Sequence, residues 1–90
     1  MKFAELDFQR HIFADGVQAI RFFSNGYGLS VVKHTHSYGY EDGLYEAAVL
    51  KGVDGDYELC YDTPVASDII GYQTEEQIES LLNEVEKLSQ

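Results

Sequence analysis

Two dipeptides do most to constrain this chain. Asn25-Gly26 and Asp54-Gly55 each lie between segments rich in β-branched and aromatic residues, the pattern of a tight β-hairpin. A two-residue turn at the first sets Ser24 opposite Tyr27, and predicts Phe22 facing Leu29 and Ile20 facing Val31 on one side of the ribbon. Val17, Ala19, Arg21 and Phe23 then share the other side with Val32 and His34. The second hairpin joins residues 44–52 to 56–61. It pairs Leu50 with Leu59 and Ala48 with Tyr61, and on the reverse Lys51 with Glu58 and Val49 with Cys60. Joined through the loop 35–43, the two hairpins predict a four-stranded antiparallel meander.

Beyond Pro64 the pattern changes. Thr74-Glu75-Glu76-Gln77 reads as a capping box with carboxylates in the first turn, where they suit the helix dipole. Ile78, Leu81, Leu82, Val85 and Leu88 recur along one helical stripe, so a helix is expected to about Leu88, lying across the sheet. Its outer face carries Glu76, Glu79, Asn83, Glu84 and Glu86. Near the start, Phe3, Leu6, Phe8, Ile12 and Phe13 follow neither period, which suggests a short strand and an irregular segment packed on the sheet. The fold class is therefore α+β: a four-stranded antiparallel meander with one C-terminal amphipathic helix on one face. With no repeat, linker or low-complexity run, residues 1–90 read as one domain. One helix cannot cover both faces of such a sheet. The second face, taken to hold Val17, Phe23, Val32, Tyr45, Val49 and Cys60, is left for the N-terminal segment, a second copy or a partner to cover.

Sixteen acidic residues against six basic ones give a net charge of -10, while 44% hydrophobic residues make the chain too apolar for a disordered acidic tail. A field of that sign repels nucleic acid and anionic membranes and attracts basic protein surfaces. The carboxylates concentrate on the helix, at Glu75, Glu76, Glu79, Glu84 and Glu86, and on the second hairpin, at Asp54, Asp56, Glu58 and Asp62. They read either as a solvated face or as imitation of a nucleic-acid backbone, with carboxylates at phosphate positions on a basic groove. Acidic residues at Glu5 and Asp7 interrupt the apolar run that a signal peptide needs, so the expected location is the cytoplasm. The lone Cys60, between Leu59 and Tyr61, reads as a buried, inert thiol.

Motifs with chemical content are few. His34 and His36, two apart on a strand, point to one side as a metal pair would, with Glu46 or Glu41 as third ligand, but a strand running into a loop suits ordinary exposed histidines equally. Asp54-Gly55-Asp56-Tyr57-Glu58 resembles the start of a calcium loop without the flanking helices, and a hairpin turn explains it. Gly26-Tyr27-Gly28 precedes a strand rather than the helix a phosphate cradle requires. Glu41-Asp42 and Glu75-Glu76 fall at a turn and a helix start, where solvated carboxylates are common. No catalytic residue, metal ligand or cofactor is assigned, and the chain reads as a non-enzyme. The loop 35–43, THSYGYEDG, is more informative. Tyr38, Tyr40 and Tyr45 lie in or just after it beside Glu41 and Asp42, material for a protein-binding loop or for finishing a thin core.

The stretches Asn25-Gly26-Tyr27-Gly28, Leu44-Tyr45-Glu46-Ala47-Ala48-Val49-Leu50, Tyr61-Asp62-Thr63-Pro64 and Ile70-Gly71-Tyr72-Gln73-Thr74-Glu75-Glu76 together resemble small acidic accessory proteins of tailed bacteriophages. That resemblance implies an accessory role in an infected bacterium, in the host cytoplasm. Small acidic phage proteins of this size include inhibitors of host defence such as anti-CRISPR proteins. The expectation is a binding protein that blocks a host protein with a basic surface, a nucleic-acid-binding or defence component. Tyr38, Tyr40, Glu41, Asp42, Tyr45, Asp54, Asp56, Glu58, Glu76, Glu79, Glu84 and Glu86 are its candidate contacts, with no direct nucleic-acid or membrane partner. The alternative is a structural module that forms a homodimer or larger assembly through the second sheet face.

Overall fold

Strand-forming residues between the N-terminal segment and the helix assemble into one antiparallel sheet in the computed structural model of the protein, which describes residues 1–11 and 15–89. The strands are β1 (Gln9–Arg10), β2 (Gly16–Phe22), β3 (Tyr27–His34), β4 (Tyr45–Val53), β5 (Asp56–Leu59) and β6 (Ile70–Gln73), followed by helix α1 (Glu75–Glu86). Their order is β1-β2-β3-β4-β5, and β6 also pairs with β4. The four expected strands are β2 to β5, and two short ones extend the sheet beyond the meander. β4 is long enough to divide its outer edge: β5 pairs along Leu50–Val53, and β6 along Tyr45 and Ala47 across an irregularity. The expected packing of Ile12 and Phe13 lies outside the described residues.

The second hairpin has the expected register, Leu50 opposite Leu59 and Lys51 opposite Glu58, and Cys60 N–H donates to the Val49 carbonyl at 2.8 Å. The Lys51 ammonium lies 5.9 Å from the centre of the Tyr27 ring. The first hairpin differs by one residue, pairing Phe22 with Gly28, Arg21 with Leu29 and Ala19 with Val31. Its turn holds three residues rather than two. Phe23 N–H donates to the Tyr27 carbonyl at 2.8 Å and Gly26 N–H to the Phe23 carbonyl at 3.3 Å, with Gly26 at φ 85°, which glycine adopts without steric cost. Because side chains alternate, that slip exchanges the faces of β2 relative to β3.

The helix consequently covers Leu29, Val31, Ala47, Val49 and Cys60, against which Ile78, Leu81, Leu82 and Val85 pack. Phe23 and Tyr45 border this core, so the face expected to lack the helix is the one that carries it, except for Val32, which alternates with Val31 along β3 and lies on the opposite side. The N-terminal segment joins the same layer: Met1, Phe3, Leu6 and Phe8 pack against the core, and Phe3 and Phe8 meet the Tyr45 ring at 5.3 and 5.7 Å. The opposite face is partly closed by the strands themselves. Phe22 and Tyr57 approach to 5.2 Å over Gly28 and Gly52, where a β-carbon would meet the Phe22 ring at 2.7 Å and Tyr57 Cβ at 3.1 Å. Between them Leu50 is buried, while Ile20 and Leu59 stay exposed.

The capping box is in place. Thr74 N–H donates to Gln77 Oε1 at 2.8 Å and Gln77 N–H to Thr74 Oγ1 at 3.2 Å. At the other terminus Asn25 Nδ2 donates to the carbonyls of Val85, Glu86 and Leu88 at 2.8, 3.1 and 3.0 Å. The helix C-terminus is thereby fixed to the first hairpin turn. Gly52 N–H donates to the Gly26 carbonyl at 2.8 Å, so the Asp54-Gly55 turn lies at this same end of the sheet. The opposite end gathers the β3–β4 connection and the β6–α1 junction, because Gln73 pairs with Tyr45.

Candidate functional site

The two ends divide the candidate contacts. At the turn end lie Asp54 and Asp56 in the second hairpin and Glu84 and Glu86 in the last turn of α1, all exposed. Glu58 is exposed on β5 opposite Lys51. At the loop end lie Tyr38, Tyr40, Glu41 and Asp42, with Glu75 and Glu76 in the first turn of α1.

Two candidates are engaged within the fold instead. Glu79 accepts the Phe3 N–H at 2.7 Å and lies 3.9 Å from the Lys2 ammonium, and Asn83 accepts from the Met1 amino group at 3.0 Å. The supposed outer face of the helix is in this part the docking strip of the N-terminal segment. Tyr45 sits in the Phe3–Phe8 cluster with the Lys33 ammonium 4.9 Å from its ring, apart from the exposed loop tyrosines. A lone sequence position cannot reveal that its partner is eighty residues away.

The loop end forms an open cleft of about 300 Å³, lined by Thr35, His36, Ser37, Tyr38, Tyr40, Glu41, Asp42 and Tyr72. Ser37 anchors it: buried, its hydroxyl donates to the His34 carbonyl at 2.8 Å and accepts the His34 N–H at 3.0 Å. A short 3-10 turn at Tyr40–Asp42 presents the carboxylates. Tyr38 N–H donates to Glu46 Oε2 at 2.7 Å, and Tyr72 N–H to the Tyr38 carbonyl at 3.3 Å. The rings of Tyr38 and Tyr72 stack with centroids 6.5 Å apart, although they are 60% and 59% exposed.

Sequence reasoning missed Tyr72 because β6 is short, irregular and interrupted by Gly71. The glycine itself is the usable signal. A β-carbon there would come within 2.6 Å of Tyr38 Cβ, so only glycine lets the two segments approach. Tyr72 holds φ at 56°, a left-handed conformation that costs a non-glycine residue about 1–2 kcal/mol. A strained residue with an exposed ring is a feature associated with binding sites.

Beside the cleft, His34 meets His11 at 4.5 Å and His36 at 6.3 Å between ring centroids, and its Nδ1 accepts the His36 N–H at 3.1 Å. Burial first, then the charge of His11, lowers the His34 pKa, with Glu46 opposing and His36 adding to the shift. A lowered value means that the folded protein binds fewer protons than the unfolded chain. The stability so contributed is complete above the unfolded value of about 6.5 and is lost as pH falls through the folded value. Between pH 7 and 5 the melting temperature of the native protein should therefore fall more than that of His34→Asn, which keeps an acceptor for His36; equal slopes in a paired calorimetric scan would contradict this. Among the described residues no group of three or more His, Cys, Asp or Glu is placed to hold a metal ion. Cys60 is buried, its thiol donating to Asp62 Oδ1 at 3.0 Å. That hydrogen bond and burial raise the thiol pKa, and the same bond lowers that of Asp62.

No known family, curated protein or solved structure matches the chain. Among the described residues no helix is long and apolar enough to cross a membrane.

Proposed function

We propose that this protein is a non-enzymatic inhibitor that binds and occludes a basic surface of another protein, using its loop end as the anchor and its overall charge for steering. The observation that carries the reading is the loop-end cleft. Exposed Tyr38, Tyr40 and Tyr72 stand beside Glu41 and Asp42 on a hydrogen-bonded backbone, and rigid tyrosines supply contact area at low entropic cost. Asp54, Asp56, Glu84 and Glu86 at the far end enlarge the attractive field without touching the anchor. The biological setting follows the resemblance to small acidic phage proteins: a host cytoplasm, and a nucleic-acid-binding or defence component such as a CRISPR effector as target.

Charge steering makes a kinetic prediction. Once a partner is captured from bacterial lysate and identified, its association rate should drop by about tenfold or more between 50 mM and 300 mM salt, with a smaller change in dissociation. A rate unchanged over that interval, measured by stopped flow, would remove steering from the account. A second reading, assembly through the sheet face opposite the helix, draws on exposed Ile20, Tyr57 and Leu59 there. It requires a stable dimer in sedimentation at micromolar concentration.

A further inference from the structure

We propose that the cleft at the loop end is an arginine-binding site, receiving the guanidinium of a side chain that projects from the partner. The inference rests on the binding reading above and specifies its chemistry. Three tyrosines line the cleft, two of them more than half exposed, and aromatic faces attract cations. Glu41 and Asp42 complete the lining, and neither lysine nor arginine is part of it. His36 is the one lining side chain that could carry positive charge, and an anionic ligand such as a phosphate would have to approach it against two carboxylates and the net charge of -10. A planar guanidinium can stack on a ring while its N–H groups fork onto a carboxylate, which an ammonium cannot do.

The cleft is also preorganised. The Tyr38 backbone is tied to Glu46, Tyr72 is tied to Tyr38, and the close approach at Gly71 fixes the separation of the two segments. A ligand entering it has little ordering left to impose. The strained φ of Tyr72 fits the same picture, since the conformation projects a ring towards solvent where burial would not favour it.

The test is a titration with N-acetyl-arginine methylamide, followed by aromatic resonances in tyrosine-labelled protein. Saturable shifts are expected at Tyr38, Tyr40 and Tyr72, with the uncharged citrulline analogue at least about threefold weaker. Tyr72→Gly removes the ring while suiting a positive φ, so it should remain folded and lose most of the response. Glu41→Gln with Asp42→Asn, which leaves every ring in place, should weaken binding by a similar factor. Equal binding of the citrulline analogue, or shifts centred on Tyr57 and Tyr61, would overturn the assignment. So would absence of any response, even if a basic partner is still captured with salt-sensitive kinetics; capture failing while the probe binds would instead count against the inhibitor reading.

Discussion

Leu82→Ala is expected to lower the unfolding free energy by about 2–5 kcal/mol. Leu82 is fully buried within the cluster that joins α1 to β3 and β4. Its removal forfeits the transfer of several methylenes and leaves a cavity where helix and sheet meet. A chain of this length has about 5–13 kcal/mol of stability in total, so the variant should lose a large fraction of its margin. In urea, followed by far-ultraviolet circular dichroism, the midpoint should drop by about 1.5 M or more. Leu59→Ala supplies the contrast. Leu59 is 53% exposed on the opposite face, and its truncation should cost less than about 1 kcal/mol. If the two substitutions proved equal, the assignment of the helix-bearing face would be wrong.

Asn25→Ala should cost about 1–3 kcal/mol, far more than a turn residue ordinarily does. The side-chain amide serves three carbonyls at the end of α1, and its own oxygen accepts the Tyr27 N–H at 3.1 Å. Helix C-termini leave carbonyls unsatisfied and carry partial negative charge. Here Glu84 and Glu86 add to that charge, and the last turn holds no basic residue. Asn25 therefore adds a side-chain donor to the backbone N–H groups of Lys87 and Leu88, which bond the Glu84 and Val85 carbonyls. Asn25→Asp discriminates this role from simple turn preference, because aspartate suits turns but offers no donor and adds a charge of the wrong sign. It should be destabilised at least as much as the alanine variant, with faster amide exchange in the last turn of α1. Native-like stability for Asn25→Asp would contradict the capping role.

The same residue shows what was legible in the sequence and what was not. Asn25-Gly26 correctly marked a hairpin, but the pair alone did not distinguish a two-residue from a three-residue turn, which sets the register of β2, and the Asn25 contact with the helix end lies 60 or more positions away. At Asp54-Gly55 the local pattern of a two-residue turn placed Lys51 opposite Glu58. The Thr74–Gln77 cap was likewise readable because all its atoms lie within one turn. Glu79 looked like a solvated carboxylate until the docking of Phe3 gave it a donor. In the cleft, Tyr38, Tyr40, Glu41 and Asp42 came together as a contiguous loop would, whereas Tyr72 arrives through β6, whose strained and glycine-bearing backbone gives no periodic signal.

The counting of faces was resolved in a similar way. The face expected to need a cover carries the helix, and on the opposite face, where Leu50 is buried, Phe22 and Tyr57 approach each other over two glycines. Among the described residues Ile20, Tyr57 and Leu59 stay exposed there.

The central claim is that the loop end anchors the partner, and neutralising one end at a time tests it most directly. One variant changes Glu41, Glu75 and Glu76 to glutamine and Asp42 to asparagine; the other changes Glu84 and Glu86 to glutamine and Asp54 and Asp56 to asparagine. Four carboxylates are removed in each, so both variants carry -10 + 4 = -6 and differ only in where the charge was lost. Affinity for the captured partner, measured by titration calorimetry, should fall at least about tenfold more for the loop-end variant than for the turn-end variant. Equal losses, or a larger loss at the turn end, would contradict the account.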